Sequence, residues 1–418
     1  MTAAAVALAV AELVAIVTGP VSAPLVGVGG AVIDHVPLSV KEFGTSTFGT
    51  HDKLALITGT LILVALFGAV IGVLAMRRPW AGYLGIGVFG LIGIVAAMSR
   101  AQAGPLALLP SLLGAGVGAY TLDRLLRPAQ VGRGAEDARR RFLYTAGGVL
   151  VGSVVVGWLA QTVVNRRDVS AARAKVQLPV PAEPASPPPP EADLGVGDVA
   201  PFVTPNADFY RIDTALAVPQ VNPDSWKLQI HGRVDNPFTI TYAELLAMPM
   251  IERYITLACV SNEVGGDLIG NAKWLGVPLK GLLERARPQA GADQVVGRAV
   301  DGFTVGSPTS VLMDGRDAML AVGMNGAPLP IEHGFPVRVV VPGLYGYVSA
   351  TKWVSELELS SFADFDAYWV RQGWAPMGPI KTQSRIDTPR HDSKPHPGAV
   401  TVAGVAWAQH RGISKVEV

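Results

Sequence analysis

The sequence predicts two unlike parts: an all-α bundle of about five transmembrane helices over residues 1–165, and a mixed α/β domain over residues 201–395. Three observations predict this. Half of the 418 residues are hydrophobic, only 16% are charged and the mean hydropathy is positive, a composition that points to membrane spans. Apolar runs near the ~20 residues that cross a bilayer core crowd into the first part of the chain. From Phe202 onward, short alternating runs interleave with helix-start signals, the pattern of a mixed α/β fold.

The apolar runs cover residues 3–17, 54–76, 81–98, 106–126 and 142–164. The first is short and begins at Met1, so a cleavable signal peptide is its other reading, although it lacks a basic start. Basic residues in short loops set orientation. Arg77 and Arg78 follow the second run, and Arg124, Arg127, Arg133, Arg139, Arg140 and Arg141 precede the fifth, which predicts that both loops are cytoplasmic. The chain after the fifth run is then extracytoplasmic, with Arg166 and Arg167 as the minority against it. Arg139 to Leu143 reads RRRFL, similar to a twin-arginine export signal placed internally; a plain cytoplasmic loop explains the same residues. Residues 19–53 read as an outside loop carrying Asp34, His35, Lys41, Glu42 and His51. Two histidines at the edge of the helices are poorly placed to hold a haem between them.

Residues 166–200 read as a proline-rich linker, since LPVPAEPASPPPPEADLG favours extended polyproline II. At ~3.1 Å per residue it would reach on the order of 50 Å. In the α/β domain, Trp226 to Gly232 alternates as a half-buried strand, and Thr241 with Glu244 forms a capping box opening a helix. Pro278 sits near the start of a second helix, and FPVRVVVP, from Phe335, is a strand bounded by prolines. Lys352 to Leu359 alternates again. Residues 396–418 read as two strands and their connection, too few to bury a core.

Cys259 is the only cysteine, which leaves no intramolecular disulfide, no cysteine-rich zinc site and no C-x-x-C-H haem attachment. It follows a β-branched run and precedes Ser261, Asn262, Gly265, Gly266 and Gly270, so a thiol stands at a strand end facing a glycine-rich loop. Alone, such a cysteine is ordinarily a small buried hydrophobe. Its context differs. ACVSN followed by LIGNAKWLGVPLKGLL resembles the molybdenum-cofactor domain of the sulfite oxidase family, and MNGAPLPIEHGFPVRVVVPGLYGYVSATKWVSELEL resembles that family's cofactor-clasping segment. The resemblance runs from about residue 202 to 418.

The resemblance implies molybdenum bound through molybdopterin, with Cys259 as the metal ligand; a thiolate is soft and strongly donating. It implies that His333, Arg338 and Lys352 hold the cofactor's phosphate end, with Asn262 in the cysteine turn and backbone N–H groups near Gly343, Gly346 and Ser349 completing the cradle. Arg211 matches an arginine near cofactor and substrate, and Trp374 falls closest to the family's active-site tyrosine. The C-terminal strands would begin an immunoglobulin-like dimerisation domain, in which Lys415 stands nearest to a family arginine. Where sulfite oxidases carry arginines after the cysteine, this chain has Glu263 and Val264. A carboxylate beside the metal would repel sulfite, so the expected reaction is two-electron or oxygen-atom transfer on another small molecule, such as an S- or N-oxide.

Two other readings stand beside this one: a cysteine-nucleophile enzyme pairing Cys259 with His333, and a tethered domain that binds a partner without catalysis. The expected partners are a small-molecule substrate, a separate haem protein or quinone-linked electron carrier, the membrane, and a second copy of the chain. A formal net charge of +1 gives no pull toward nucleic acid. The expected location is a multi-pass cell-membrane protein with its catalytic domain on the extracytoplasmic side.

Overall fold

Small residues along apolar helices build the first part of the molecule, and strands that alternate on a period of two build the second. The computed structural model describes residues 1–418 except 20–21, 49–51, 101–102, 132–139, 141–143, 145, 158, 160–168, 391, 395, 410 and 418, with backbone only at 38, 42, 45–46, 52 and 127–131. It divides into two compact units, Met1–Asp168 with Thr214–Val218, and Val169–Asp213 with Pro219–Val418.

In the first unit, α1 (Thr2–Thr18), α2 (Pro24–His35), α3 (Leu38–Phe48), α4 (Asp52–Arg77), α5 (Pro79–Met98), α6 (Leu109–Val131) and α7 (Ala146–Gly157) follow in order. Glycine lets their backbones approach where side chains would hold them apart. A Cβ on Gly114 or Gly118 of α6 would sit within 3.1 Å of backbone oxygens of α1, and one on Gly27 of α2 would press on Ala97 of α5.

Three helical stretches are long and apolar enough to cross a membrane: Lys53–Arg77, Pro79–Met98 and Pro105–Leu126. The first and last of the five expected runs form the shorter apolar helices Thr2–Thr18 and Ala146–Gly157. The expected loop over 19–53 is instead helical through α2 and α3. At 12 and 11 residues these helices are shorter than a membrane-crossing run, and Gly27 seats α2 on its neighbour. His35 ends α2, its Nδ1 bonded to the Ala31 carbonyl oxygen of its own helix. His51, Arg133, Arg139, Arg141, Phe142, Leu143, Arg166 and Arg167, on which the haem, export and orientation readings partly rest, lie outside the described residues.

The second unit holds two five-stranded sheets. One has the order β2-β1-β10-β5-β6, from β1 (Lys227–Gly232), β2 (Phe238–Thr241), β5 (Gln294–Ala299), β6 (Thr304–Pro308) and β10 (Val354–Ser360). Only the β1–β10 pair in it is parallel. The other contains β3 (Ile251–Ala258), β4 (Ile269–Pro278), β7 (Met319–Met324) and β8 (Ala327–Pro328) in that order, with β9 (Arg338–Val340) also paired to β7. The helices α8 (Ser170–Lys175), α9 (Tyr242–Leu246), α10 (Leu279–Ala286) and α11 (Thr309–Met313) are short. Thr241 and Glu244 cap α9 reciprocally, and α10 buries Leu279, Leu282, Leu283 and Ala286, one helical face.

Strand alternation places the site. Leu320, Val322, Val337 and Val339 pack with Leu228, Ile230 and Leu357 of the first sheet in the main core. Met319, Ala321 and Val340 face the other way, into a second cluster with Ile255, Leu257, Trp274 and Phe335. Arg338 is two residues from Val340, so it joins this second face.

Residues 173–185 do not stand free of the domain, as the spacer reading expected. Arg173 donates to the Leu329 and Pro328 carbonyls, Leu178 packs on the main core, and the Ala182 N–H and Glu183 carbonyl bond to Met250 and Glu252 beside β3. Near the C-terminus, β12 (Ala403–Trp407) pairs antiparallel with β11 (Gln383–Thr388), not with the second expected strand, whose described residues 412–417 have no strand geometry.

The core is tested by Leu320→Ala. Leu320 is fully buried, so the change is predicted to cost ~2–5 kcal/mol. Lys280→Ala, at an exposed ion pair on α10, is predicted to cost less than ~0.5 kcal/mol. Thermal unfolding of the detergent-solubilised chain separates the two.

Candidate active site

Cys259 follows the last residue of β3. Its N–H donates to the Leu268 carbonyl oxygen at 2.9 Å, and its carbonyl oxygen accepts from the Asn262 N–H at 3.1 Å. Asn262 Oδ1 then accepts from the Leu268 N–H at 2.8 Å, tying the two ends of the glycine-rich loop together. Asn262 thus holds the turn that presents the thiol. Burial pushes the Cys259 pKa up, and N–H groups of Ser261 and Val260, with the Ser261 hydroxyl, pull it back. A protonated thiol is a poor nucleophile, but a soft metal displaces its proton.

The second element is a set of buried bases. Gly334 has φ +111°, and a Cβ there would come within 3.0 Å of Arg338 Cβ and 3.2 Å of Lys352 Cα, so this turn brings the two cationic residues together. His333, Arg338 and Lys352 are only 3%, 5% and 9% exposed, which makes them a site and not a solvated strand flank. Arg338 donates through Nη1 to the His333 carbonyl oxygen at 3.1 Å, and its guanidinium carbon lies 5.1 Å from the centre of the Trp274 ring. Its buried Nε has no hydrogen-bond partner. Burial lowers the Arg338 pKa to about 10. Lys352 Nζ donates to Asp213 Oδ2 at 2.7 Å and to the Glu332 carbonyl oxygen at 3.1 Å. Burial lowers its pKa to about 8, against the pull of Asp213. His333 is lowered to about 4 by burial, then by Arg338 and Lys352; its Nε2 sits 3.3 Å from the Asn206 carbonyl oxygen and its ring meets Phe209 edge-on.

Arg211 joins this cluster by pairing with Asp213 at 2.8 Å, while remaining partly exposed. Arg211 and Lys352 therefore share Asp213, with Asp301 near enough to feel Lys352, while Arg338 keeps the His333 carbonyl as its partner. Buried charge left uncompensated is costly, so the cluster is built for an added anion. Tyr210 links the halves: burial raises its phenol pKa, Cys259 raises it further and Arg338 opposes this. The phenol stacks with Phe209, which lies against Gly270 of β4 so closely that a Cβ there would meet its ring at 2.6 Å.

Other expected site residues fall elsewhere. Ser349 spends its hydroxyl on the Leu344 and Tyr345 carbonyls and its N–H on Gly346, so it braces its own turn. Gly343 has φ +84°, and its carbonyl accepts from Ile380, so it shapes the same turn. Trp374 stacks on Trp369 at 4.4 Å and packs edge-on against Tyr347, in an aromatic cluster. Glu263 and Val264 are exposed. Water screens an exposed carboxylate, which removes the force of the argument against sulfite. Sequence reasoning missed Tyr210, Asp213, Asn206 and Trp274. A signal for Asp213 was present: it lies two residues from Arg211, and residues two apart in extended chain share a side.

A family model described as "Oxidoreductase molybdopterin binding domain" matches residues 215–369. Mitochondrial sulfite oxidase of Homo sapiens is 29% identical over 259 residues, covering 52% of this chain and 47% of that protein. The uncharacterized oxidoreductase YuiH of Bacillus subtilis (strain 168) is 32% identical over 153 residues, covering 37% of this chain and 74% of YuiH. Among solved structures, the sulfane dehydrogenase SoxCD from Paracoccus pantotrophus matches with a TM-score of 0.40 and 26% identity, covering 45% of this chain and 53% of that one. The chain spans about half the length of the sulfite oxidases it matches.

Two pH effects follow. Sulfate keeps one charge across neutral and alkaline pH. Its binding to the cofactor-free chain, followed by calorimetry, is predicted to weaken as pH rises through about 8, where Lys352 loses its proton; Lys352→Gln is predicted to bind weakly throughout. Separately, the unfolded chain protonates His333 near 6.5 while the fold resists until about 4, so stability is predicted to fall as pH drops through that window. The drop is predicted to shrink in His333→Gln, read from thermal midpoints.

Proposed function

This chain belongs to the sulfite oxidase family of molybdopterin-binding oxidoreductases, and from that premise we propose that it is a membrane-attached enzyme performing two-electron or oxygen-atom transfer on a small molecule. The observation that carries the proposal is Arg338: a buried guanidinium with an unpartnered Nε, beside Lys352 and His333, on the face of the sheet whose edge strand ends at Cys259. Donors of this kind fit a phosphate or pyrophosphate end, and a single thiol fits a soft metal. When bound, the cofactor supplies a two-electron couple and exchange of an oxygen atom with substrate.

In this reading Cys259 is the metal ligand, and Asn262 keeps its loop in place. Arg338, Lys352 and His333 hold the anionic end, Lys352 exchanging part of its bond to Asp213 for the cofactor. Neutral His333 donates a hydrogen bond without adding charge. Arg211 is the partly exposed cation at the substrate side, where it orients an anionic or strongly dipolar group. Gly343 and Ser349 act through the turn they shape. Sulfite stands among the substrates to test, alongside S- and N-oxides. Electrons pass to a separate carrier, a haem protein or a quinone-linked one. The apolar helices attach the chain to the membrane, with residues 201–395 on the extracytoplasmic side. The cysteine-nucleophile alternative requires a depressed thiol pKa, and burial moves Cys259 the other way.

Full-length protein from cofactor-competent cells is predicted to contain about one molybdenum and one pterin per chain. Cys259→Ser is predicted to lose at least ~100-fold in turnover while keeping its pterin. Metal and pterin analysis with a reductant and oxide panel checks both, and a metal-free wild-type chain contradicts the proposal.

A further inference from the structure

The cysteine loop is held from a second direction. Arg385 of β11 donates through Nη1 to the Gly266 carbonyl oxygen at 2.9 Å. Arg385 is itself fixed: Asp387, two residues on, takes its Nε and Nη2, and these side chains are only 14% and 7% exposed. Asp387 Oδ2 also accepts from the Ala200 N–H at 2.9 Å, which anchors the carboxylate. The guanidinium is therefore aimed, with one edge on Asp387 and one nitrogen left for the loop. The same strand pair reaches the site at two more points. Gln409 Nε2, just past β12, donates to the Thr256 carbonyl oxygen three residues before Cys259, and Gln383 Nε2 donates to Tyr345 Oη.

Gly266 needs this hold. Its N–H bonds back to the Glu263 carbonyl oxygen at 2.9 Å, closing the exposed end of the loop on itself. Asn262 ties the loop only at Leu268, so between those points Arg385 is the side chain that joins the exposed end to a sheet. We propose that Arg385 is a positioning residue for Cys259: the β11–β12 pair is a clamp that fixes where the thiol points and how far solvent reaches it. The ligand role of Cys259 rests on the molybdenum reading above; the clamp itself is a property of the cofactor-free chain.

The test uses the single cysteine as its own probe. Alkylation of cofactor-free, full-length protein by iodoacetamide reports Cys259 alone. Losing a charged hydrogen bond that restrains the loop is expected to speed alkylation about tenfold. Arg385→Ala strands the Asp387 carboxylate, so the double variant R385A/D387A, which leaves no buried charge unpaired, is the decisive one. Arg385→Lys keeps the ion pair but lacks a fork for Gly266, and is expected to show a smaller acceleration. Leu320→Ala, destabilised far from the loop, is expected to react at the wild-type rate under native conditions. In loaded protein, the molybdenum(V) paramagnetic signal is expected to shift in the double variant. An unchanged alkylation rate in R385A/D387A or, should that variant not fold, in Arg385→Lys overturns the clamp, as does an equal acceleration in Leu320→Ala. A wild-type chain without molybdenum whose clamp variants still react faster would cost the metal reading and leave the clamp standing.

Discussion

The second unit depends on one electrostatic constraint: cations buried beyond what its own carboxylates balance. Lys352 and Arg211 pair with Asp213, Arg338 lies beside Lys352 at the Gly334 turn, and Arg338 and Lys352 are nearly closed off from water. Taking a guanidinium and an ammonium out of water costs several kcal/mol each unless an anion replaces the lost hydration. The protein meets part of that cost through Asp213, carbonyl oxygens and the Trp274 face, and it keeps His333 neutral. The remainder defines a place for an anion, and Arg338 Nε marks where a donor still lacks an acceptor.

Sheet geometry carries this constraint to the thiol. Because side chains alternate across β7 and β9, one face of the sheet closes the main core and the other is free to hold Arg338 against Trp274. The strand order sets β3 at the edge of that sheet, beside β4, and Cys259 emerges where β3 ends. Tyr210 feels both the thiol and Arg338, so the two stand on either side of one buried phenol. The loop after Cys259 is short of regular structure and is tied by two side chains, the Asn262 side-chain carbonyl and the Arg385 guanidinium, while the Gln409 amide bonds to β3 at Thr256.

Much of this was legible in the chain itself. Alternation located β1 and β10, the capping box located α9, and the placement of Cys259 at the end of β3 follows from Tyr254 to Ala258 being β-branched and apolar. His333, Arg338 and Lys352 were recognisable because they lie in one continuous motif. What hid from the sequence was contact between distant segments. Asp213 meets Lys352 across 139 residues and Arg385 meets Gly266 across 119, and no periodicity encodes such pairings. Proline content identified an extended segment at 178–195 but not that its backbone pairs beside β3. Hydropathy found the long apolar helices and passed over α2, whose 12 residues are too few for a membrane-crossing run. A residue type was also a weak guide to place: Glu263 follows Cys259 closely and still faces water.

Sulfur coordination of the metal tests the central claim most directly. X-ray absorption at the molybdenum edge of the purified chain, compared with Cys259→Ser loaded to the same metal content, counts sulfur neighbours without reference to any substrate. The account predicts that the variant has one sulfur neighbour fewer, replaced by a lighter atom, with the cofactor otherwise retained. An identical sulfur shell in the two proteins would show that Cys259 does not reach the metal, and would contradict the account.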